Sequence, residues 1–160
     1  MKIITKIFSL CLLVSAALFY SGCGSKSSGT DSPEKIQLAK LSKTWTLTSA
    51  KLDDVDRTSD FSGLALTISG TYSKDGDTYA YSFQGHRPQP SPWPAAGTWK
   101  FGATPSTDLV RLDDDPALAM TYTVTDNSLE IKFNYPTTAA GFAGSRVGKV
   151  SGNWDFVFSK

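Results

Sequence analysis

Few side chains in this 160-residue chain are of the types that commonly carry out catalysis. The sequence has one histidine, His86, and two cysteines, Cys11 and Cys23. A nucleophilic or metal site needs such residues in groups, with a base beside the nucleophile or several ligands around one ion. The sequence contains no G-x-S-x-G, H-E-x-x-H or phosphate-binding glycine motif. We therefore predict that the protein is not an enzyme and has no cofactor and no bound metal.

Acidic residues form two short clusters that could supply calcium ligands. One is "LDDD" at 112–115, and the other comprises Asp53, Asp54 and Asp56. Calcium loops space their carboxylates as D-x-D-x-D-G, so that alternate oxygen atoms converge on the ion. Neither cluster has this spacing, and both are interpreted as acidic turns.

Cys23 lies in a context that indicates a different chemistry. Lys2 and Lys6 precede an apolar stretch of 14 residues that ends at Tyr20, which is shorter than the roughly 20 residues of a membrane span and is typical of a secretory signal. Two small residues then lead to Cys23, and this segment resembles the lipobox of bacterial lipoproteins, although Tyr20 stands where an aliphatic residue is usual. The resemblance implies a signal peptide over 1–22 and acyl chains such as palmitate on Cys23.

The segment after the cysteine is small and polar and predicts a flexible tether. We assign residues 23–35 to the lipidated cysteine and linker, and residues 36–160 to one domain. Removal of the signal leaves 14 basic and 15 acidic residues, which gives no electrostatic reason to expect nucleic acid. The expected location is the bacterial cell envelope, at the outer membrane facing the periplasm or the surface, with the lipid anchor as the contact to the membrane.

Apolar and polar residues alternate with a period of two in eight segments of the domain, which is typical of strands with one buried face. No helical segment of ten or more residues separates them, so the connections are predicted to be antiparallel hairpins, with turns at "KDGD" (74–77) and "TDNS" (125–128). Such strands form a sandwich or a closed barrel, and closure alone removes exposed edges. The eight segments lie around Trp45–Leu47, Leu64–Ile68, Tyr79–Phe83, Trp99–Phe101, Asp108–Asp113, Met120–Val124, Leu129–Tyr135 and Val150–Phe158.

A short helical turn that leads into "LSKTW", followed by these strands, resembles the lipocalin-like lipoproteins of Bacteroidota over roughly residues 41–160. The resemblance implies an all-β fold, a single antiparallel up-and-down barrel of about eight strands, and a role in binding a small apolar or amphipathic molecule. True lipocalins have glycine two residues before the first tryptophan, where this chain has Lys43. By the same resemblance, Trp45 plugs the closed end of the barrel.

Large aromatic side chains form the predicted inward row, and two interpretations of them stay open. A small barrel is often filled by its own side chains, whereas an eight-stranded barrel can also hold one small ligand. Buried tyrosine and tryptophan need partners for their polar atoms, which favours some polarity inside. The row comprises Tyr79, Tyr81, Phe83, Trp99, Tyr122, Phe133, Trp154 and Phe156.

The loop "QGHRPQPSPWPAAG" at 84–97 holds four of the eight prolines together with His86, Arg87 and Trp93. Alternating prolines hold a chain extended, so the loop either presents Trp93 or His86 to a protein or glycan partner or folds Trp93 back as a lid over one end of the barrel. We favour the lid, and keep the interaction surface as the alternative function. The candidate ligand contacts are Tyr81, His86, Arg87, Trp93, Trp99 and Tyr122.

Overall fold

The computed structural model describes residues 31–76, 78–136 and 150–160, and Asp31–Lys160 form one compact unit. The predicted signal peptide, Cys23 and the linker as far as residue 30 lie outside the described residues. The compact unit contains every strand that the structure describes.

A single short helix, α1 (Pro33–Leu41), precedes the strands in the described part of the chain. Ser32 caps it, because its Oγ accepts a hydrogen bond from the backbone N–H of Lys35 at 3.3 Å, and proline occupies the first helical position, where its missing N–H costs nothing. Leu38 and Leu41 are buried against the strands. The helix therefore packs onto the sheet by its C-terminal half.

All eight predicted strands are present, and one short strand was not predicted. Burial alternates along most of them, as in Tyr79–Gln84, where every second side chain is buried. The strands are β1 (Thr44–Leu52), β2 (Val55–Asp56), β3 (Ala65–Ser69), β4 (Tyr79–Gln84), β5 (Ala96–Phe101), β6 (Asp108–Arg111), β7 (Leu118–Val124), β8 (Ser128–Tyr135) and β9 (Gly152–Ser159).

The strands form a closed, antiparallel up-and-down barrel, as predicted. Each of β3 to β8 pairs with the next strand in sequence, and β1 pairs with both β3 and β9. Eight strands thus close the barrel, and β2 extends β1 as a small additional hairpin. Because the barrel is closed, each of its eight strands is paired on both sides. This is the outcome expected for strands that have one apolar face and no helices to protect an exposed edge.

The β1–β2 hairpin explains one of the acidic clusters. Leu52 pairs with Val55, so Asp53 and Asp54 form a two-residue loop with φ values of 48° and 66°. Positive φ at both positions is the geometry of a type I′ turn, which matches the twist of the flanking strands and tolerates aspartate. The prediction of an acidic turn was right, and the strand that follows it was missed.

The two ends of the barrel differ in how they are covered. At the helix end, α1 enters β1, and the connections 70–78, 102–107 and 125–127 cross between strands. At the loop end lie the β1–β2 turn, a 3-10 helix (Thr58–Phe61), the β4–β5 loop (85–95) and the β6–β7 loop (112–117). The predicted turn at 125–128 is confirmed, whereas the predicted tight turn at 74–77 belongs to a longer connection, 70–78.

The interior is packed with the predicted aromatic row, every member of which is at most 8% exposed. Phe61 of the 3-10 helix joins it by edge contacts to Trp154 and Phe156, with ring centroids 5.7 and 5.3 Å apart. The barrel is therefore a filled core in this conformation.

Candidate functional site at the loop end of the barrel

Trp93 reaches the core from the β4–β5 loop and not from a strand. Its side chain is 2% exposed, and its ring lies 5.1 Å from those of Phe83 and Phe133. Tyr81 and Phe156 contact it edge-on at 5.7 and 5.9 Å. The indole therefore closes the loop end from within, which is the position that the lid interpretation expects.

Two arginines and a serine hold the loop that carries Trp93. The Arg87 guanidinium donates a hydrogen bond to the carbonyl of Trp93 at 2.8 Å, and that of Arg111 donates to the carbonyl of Pro92 at 2.8 Å. The backbone N–H of Trp93 donates to Ser91 Oγ at 3.2 Å. These side-chain to backbone contacts hold the middle of the loop, and the backbone hydrogen bonds from the Phe83 N–H to the Ala95 carbonyl and from the His86 N–H to the Ser62 carbonyl hold its ends.

Arg111 is the most deeply buried charged residue that the structure describes, with 0% of its surface exposed. Its Nε lies 2.8 Å from one carboxylate oxygen of Asp114 and 3.2 Å from Asp113, and a second guanidinium nitrogen also contacts Asp114. The Tyr81 hydroxyl donates to Asp113 at 2.9 Å. The central carbon of the Arg111 guanidinium lies over the Trp93 ring, 4.9 Å from its centroid, a cation–π contact.

Burial shifts the acid–base properties of this cluster. Desolvation raises the pKa of Asp114 above its usual value even though Arg111 beside it acts in the opposite direction. Burial likewise raises the pKa of the Tyr81 and Tyr135 hydroxyls, with the nearby aspartates adding to the effect. Both tyrosines are therefore neutral at physiological pH, so that Tyr81 donates its hydroxyl proton to Asp113 and Tyr135 accepts from Arg111.

A mouth pocket of about 260 Å³ opens to solvent above this cluster. One part of its lining consists of the rings of Trp93 and Pro94, and the other part consists of charged side chains. It is formed by Arg87, Gln89, Ser91, Trp93, Pro94, Asp113, Asp114 and Tyr135. The formal charges of Arg87 and the buried Arg111 balance those of the two aspartates, so the pocket suits a ligand without strong net charge.

A second cavity of only about 20 Å³ lies inside the barrel, lined by apolar surface. That is close to the volume occupied by one water molecule. Among the described residues, Trp93 is the one that lines both this cavity and the mouth pocket. The indole of Trp93 is thus the partition between the solvent-facing pocket and the interior.

Two indole N–H groups of this region lack an acceptor. Nε1 of Trp93 and Nε1 of Trp99 are both buried without a hydrogen-bond partner among the described residues. By contrast, Trp45 Nε1 donates to the carbonyl of Leu41 at 3.0 Å and Trp154 Nε1 to that of Val150 at 2.7 Å. An unsatisfied buried donor costs about 1–3 kcal/mol, so the burial of Trp93 and of Trp99 carries a cost that the burial of Trp45 and Trp154 does not.

The structure brings together four of the six candidate ligand contacts. Tyr81, Arg87 and Trp93 meet at the loop end, and Trp99 lies beneath them on the interior cavity. His86 is exposed at the start of the loop, where its backbone N–H donates to the carbonyl of Ser62. Tyr122 belongs to the helix end, since its hydroxyl donates to the carbonyl of Pro105.

The burial of Trp93 bears on the alternative function through the proline-rich loop. Trp93 or His86 was the contact expected for a protein or glycan partner, and of these two only His86 is exposed, together with side chains such as Gln89. A protein or glycan that binds this loop would therefore contact polar side chains and proline rings.

Sequence reasoning missed Arg111, Asp113, Asp114 and Tyr135 as site residues. The sequence did contain a signal for Arg111. Leu109 and Arg111 are two residues apart on β6, so the alternation of a strand places both side chains on the buried face. A charged residue at an inward strand position needs a partner, and the aspartates that come after it in the chain supply it. The "LDDD" turn thus supplies partly exposed carboxylates to an ion-pair cluster around the buried Arg111.

Other surfaces offer less to a small molecule. An open groove of about 870 Å³ crosses the outer face of β6 to β9, but Lys132 there pairs with Glu130 and Asp155 at 2.9 and 3.4 Å, and Asp108 accepts from the backbone of Thr104. Within the described ranges, no three acidic, histidine or cysteine residues are placed to hold a metal ion. In the same ranges no helix has the length and apolarity to cross a membrane.

Comparison with protein-family models, with characterised proteins and with solved structures gives no match for the chain.

Proposed function

We propose that the protein is a lipid-anchored binding module of the bacterial cell envelope, tethered through Cys23, whose lipocalin-like barrel binds a small amphipathic molecule at its loop end. In this proposal the protein has no catalytic role. The anchor follows from the lipobox-like segment, and the binding role follows from the mouth pocket.

The observation that carries the binding role is the divided lining of the mouth pocket. Trp93 and Pro94 offer apolar surface, whereas Arg87, Asp113 and Asp114 offer hydrogen-bonding and charged groups on the other side. Ligand sites combine apolar surface with convergent polar groups that fix orientation, and in this pocket polar residues predominate. An amphipathic molecule satisfies both parts of this lining.

The energetics of Trp93 explain why the barrel interior is closed without a ligand. A buried aromatic side chain removes roughly 150–250 Å² from water, which corresponds to about 4–6 kcal/mol at about 25 cal/mol per Å². Moving the indole into solvent therefore needs a compensating partner. A ligand that stays in the mouth pocket binds without that cost.

Native mass spectrometry of the full-length protein, purified gently from its membrane, tests the binding role. We expect a retained small molecule in the wild type and a reduced occupancy in Arg87→Ala, which removes a polar group of the pocket. Arg57→Ala, a partly exposed arginine paired with Asp60 outside the pocket, is the matched control and should retain the molecule. Absence of any bound molecule, also after incubation with an extract of the host membrane, would contradict the proposal.

Metabolic labelling with a radioactive fatty acid tests the anchor separately. Cys23→Ala should lose the label and leave the membrane fraction. Cys11→Ala, which changes the other cysteine within the predicted signal peptide, should keep both. Label retained by Cys23→Ala would show that Cys23 is not the lipidation site.

A further inference from the structure

The Trp93 indole is enclosed by side chains of the barrel in the way that a protein encloses a bound aromatic ligand. Four aromatic rings from strands β4, β8 and β9 surround it, namely those of Tyr81, Phe83, Phe133 and Phe156, and a guanidinium covers one face. Unlike the other tryptophans of the core, it comes from a loop. The surrounding cage belongs to the barrel, whereas the indole belongs to a loop held by hydrogen bonds from Arg87 and Arg111 and by the burial of Pro92.

We propose that this cage is a binding site for a flat aromatic molecule that carries a hydrogen-bond acceptor, and that Trp93 occupies it as an intramolecular substitute in the ligand-free protein. The inference deepens the proposed function and rests on it, because it names the ligand class and the route by which that ligand enters from the mouth pocket.

The unpartnered indole groups indicate the acceptor. Trp93 brings its own N–H into a place where it finds no partner among the described residues, and Trp99 on the wall of the interior cavity has the same deficiency. An aromatic guest with a ring nitrogen or carbonyl would bring no orphan donor and would offer Trp99 Nε1 an acceptor. The guest therefore replaces the ring contacts of Trp93 and gains a hydrogen bond that the indole cannot make.

Arg111 adds a preference for a planar π system. Its guanidinium lies 4.9 Å above the Trp93 ring and is held there by Asp113 and Asp114. A saturated ring of the same size would fill the cage but would lose the cation–π contact. The cage should thus prefer aromatic over aliphatic rings.

Entry of the guest requires the 85–95 loop to release Trp93. Because Trp93 is the shared wall of the mouth pocket and the interior cavity, its departure joins the two spaces. A ligand bound in this way makes the loop more mobile, whereas a ligand confined to the mouth pocket would cover the loop and protect it. The two modes therefore have opposite signatures in backbone hydrogen exchange.

The experiment uses the full-length protein and three probes: quinoline, which has an acceptor nitrogen, indole, which has only a donor, and cyclohexanol as the aliphatic control. Calorimetric titration should detect quinoline binding to the wild type, weaker indole binding and no cyclohexanol binding. Trp93→Gly removes the intramolecular competitor, so its affinity for quinoline should rise at least tenfold. Trp93→Phe keeps a ring in the cage, so its affinity for quinoline should lie between those of the wild type and Trp93→Gly. This variant replaces Trp93→Gly in the test if the glycine variant does not fold.

Trp45→Phe is the matched control for a cavity made elsewhere, because Trp45 is equally buried but lies at the helix end, where its N–H is satisfied by the carbonyl of Leu41. It should leave the affinity for quinoline unchanged. Hydrogen exchange of residues 85–95 should become faster when quinoline binds to the wild type. Tighter binding in Trp93→Gly together with faster exchange supports the proposal.

Each other outcome overturns the inference in a recognisable way. Binding by Trp93→Gly alone would mean an engineered cavity only. Weaker binding in Trp93→Gly together with slower exchange in the wild type would place the ligand in the mouth pocket, which would leave the proposed function intact. If a retained natural ligand is found by mass spectrometry and no aromatic probe binds, the ligand class is wrong and the binding role stands.

Discussion

Each end of the barrel has a buried tryptophan with a cation over its ring, yet the polar contacts of the two tryptophans differ. At the helix end, Lys43 Nζ lies 4.8 Å above the Trp45 ring, and Trp45 comes from a strand and donates its N–H to Leu41. At the loop end, Arg111 lies 4.9 Å above the Trp93 ring, but Trp93 comes from a loop and its N–H has no partner among the described residues. The comparison teaches that two indoles buried to the same depth can differ in whether their polar atom is satisfied, which is the difference on which the proposed release of Trp93 rests.

The largest expected effect tests that difference directly. Trp45→Ala should lower the free energy of unfolding by about 5 kcal/mol, because it leaves a cavity among strand residues and removes one of the two donors to the Leu41 carbonyl. Trp93→Ala should cost about 3 kcal/mol, since the loop can settle into the space and no indole hydrogen bond is lost. Urea denaturation measures both, and equal losses would break the comparison.

The next effect concerns the cation of the loop end. Arg111→Leu should cost about 3 kcal/mol, because it leaves Asp113 and Asp114 without their buried partner and frees the Pro92 carbonyl. Arg57 and Asp60 form an ion pair with the same sequence spacing as Arg111 and Asp114. The side chains of Arg57 and Asp60 are 42% and 35% exposed, whereas those of Arg111 and Asp114 are 0% and 16% exposed.

Arg57→Leu is therefore the matched control and should cost less than about 1 kcal/mol. A similar loss in both variants would show that burial does not distinguish the pairs. Thermal unfolding followed by circular dichroism at neutral pH is sufficient to separate the two values.

The pH dependence of stability gives a smaller signal from the same cluster. The folded-state pKa of Asp114 is raised above its unfolded value, mainly by burial, so the native protein binds this proton more readily than the unfolded chain. Its contribution favours folding as the pH falls from the raised pKa toward the ordinary value of 3.8 and is lost as the pH rises. Asp114→Asn should therefore gain stability relative to the wild type as the pH rises from about 4 to about 7.

Melting temperatures over that pH range check the sign. Asp60→Asn removes the carboxylate of the more exposed pair and is the reference for general effects of charge. If the melting temperature of the wild type rises relative to that of Asp114→Asn as the pH rises, pairing with Arg111 outweighs burial.

The smallest expected effect sharpens the comparison from the helix end. Ser32→Ala removes the cap of α1, a solvent-exposed hydrogen bond of 3.3 Å, and should cost about 0.5 kcal/mol. Its affinity for any ligand of the loop end should equal that of the wild type, as measured by calorimetric titration. A changed affinity would mean that the helix end takes part in binding.

The sequence predicts most of the barrel because strand periodicity is a local signal. Leu129, Ile131, Phe133 and Tyr135 alternate with polar residues and are all buried, as the period of two requires. The β2 strand was missed because two residues carry no period, and it exists only through its turn at 53–54. The tight turn at 74–77 was misjudged because a turn sequence says nothing about how far the strands on each side continue.

The candidate site was predictable only in part, because it depends on contacts between distant segments. The inward direction of Arg111 follows from its place on β6, but its partners on 113–114 and its contact with the proline-rich loop arise from tertiary packing. The burial of Trp93 could be argued as one of two outcomes, and the lack of an acceptor for its N–H among the described residues had no sequence signal at all.

The pairing of β1 with β9 has a consequence for the order of folding. Thr46 pairs with Ser159 and Leu52 with Trp154, contacts that join the two ends of the domain across more than 100 residues. Such long-range pairing is slow to form, because the chain entropy of a large loop is lost before the contacts stabilise it. The barrel closes only after its last strand has been synthesised, and until then β1 and β8 expose edges that are open to misassembly with other chains.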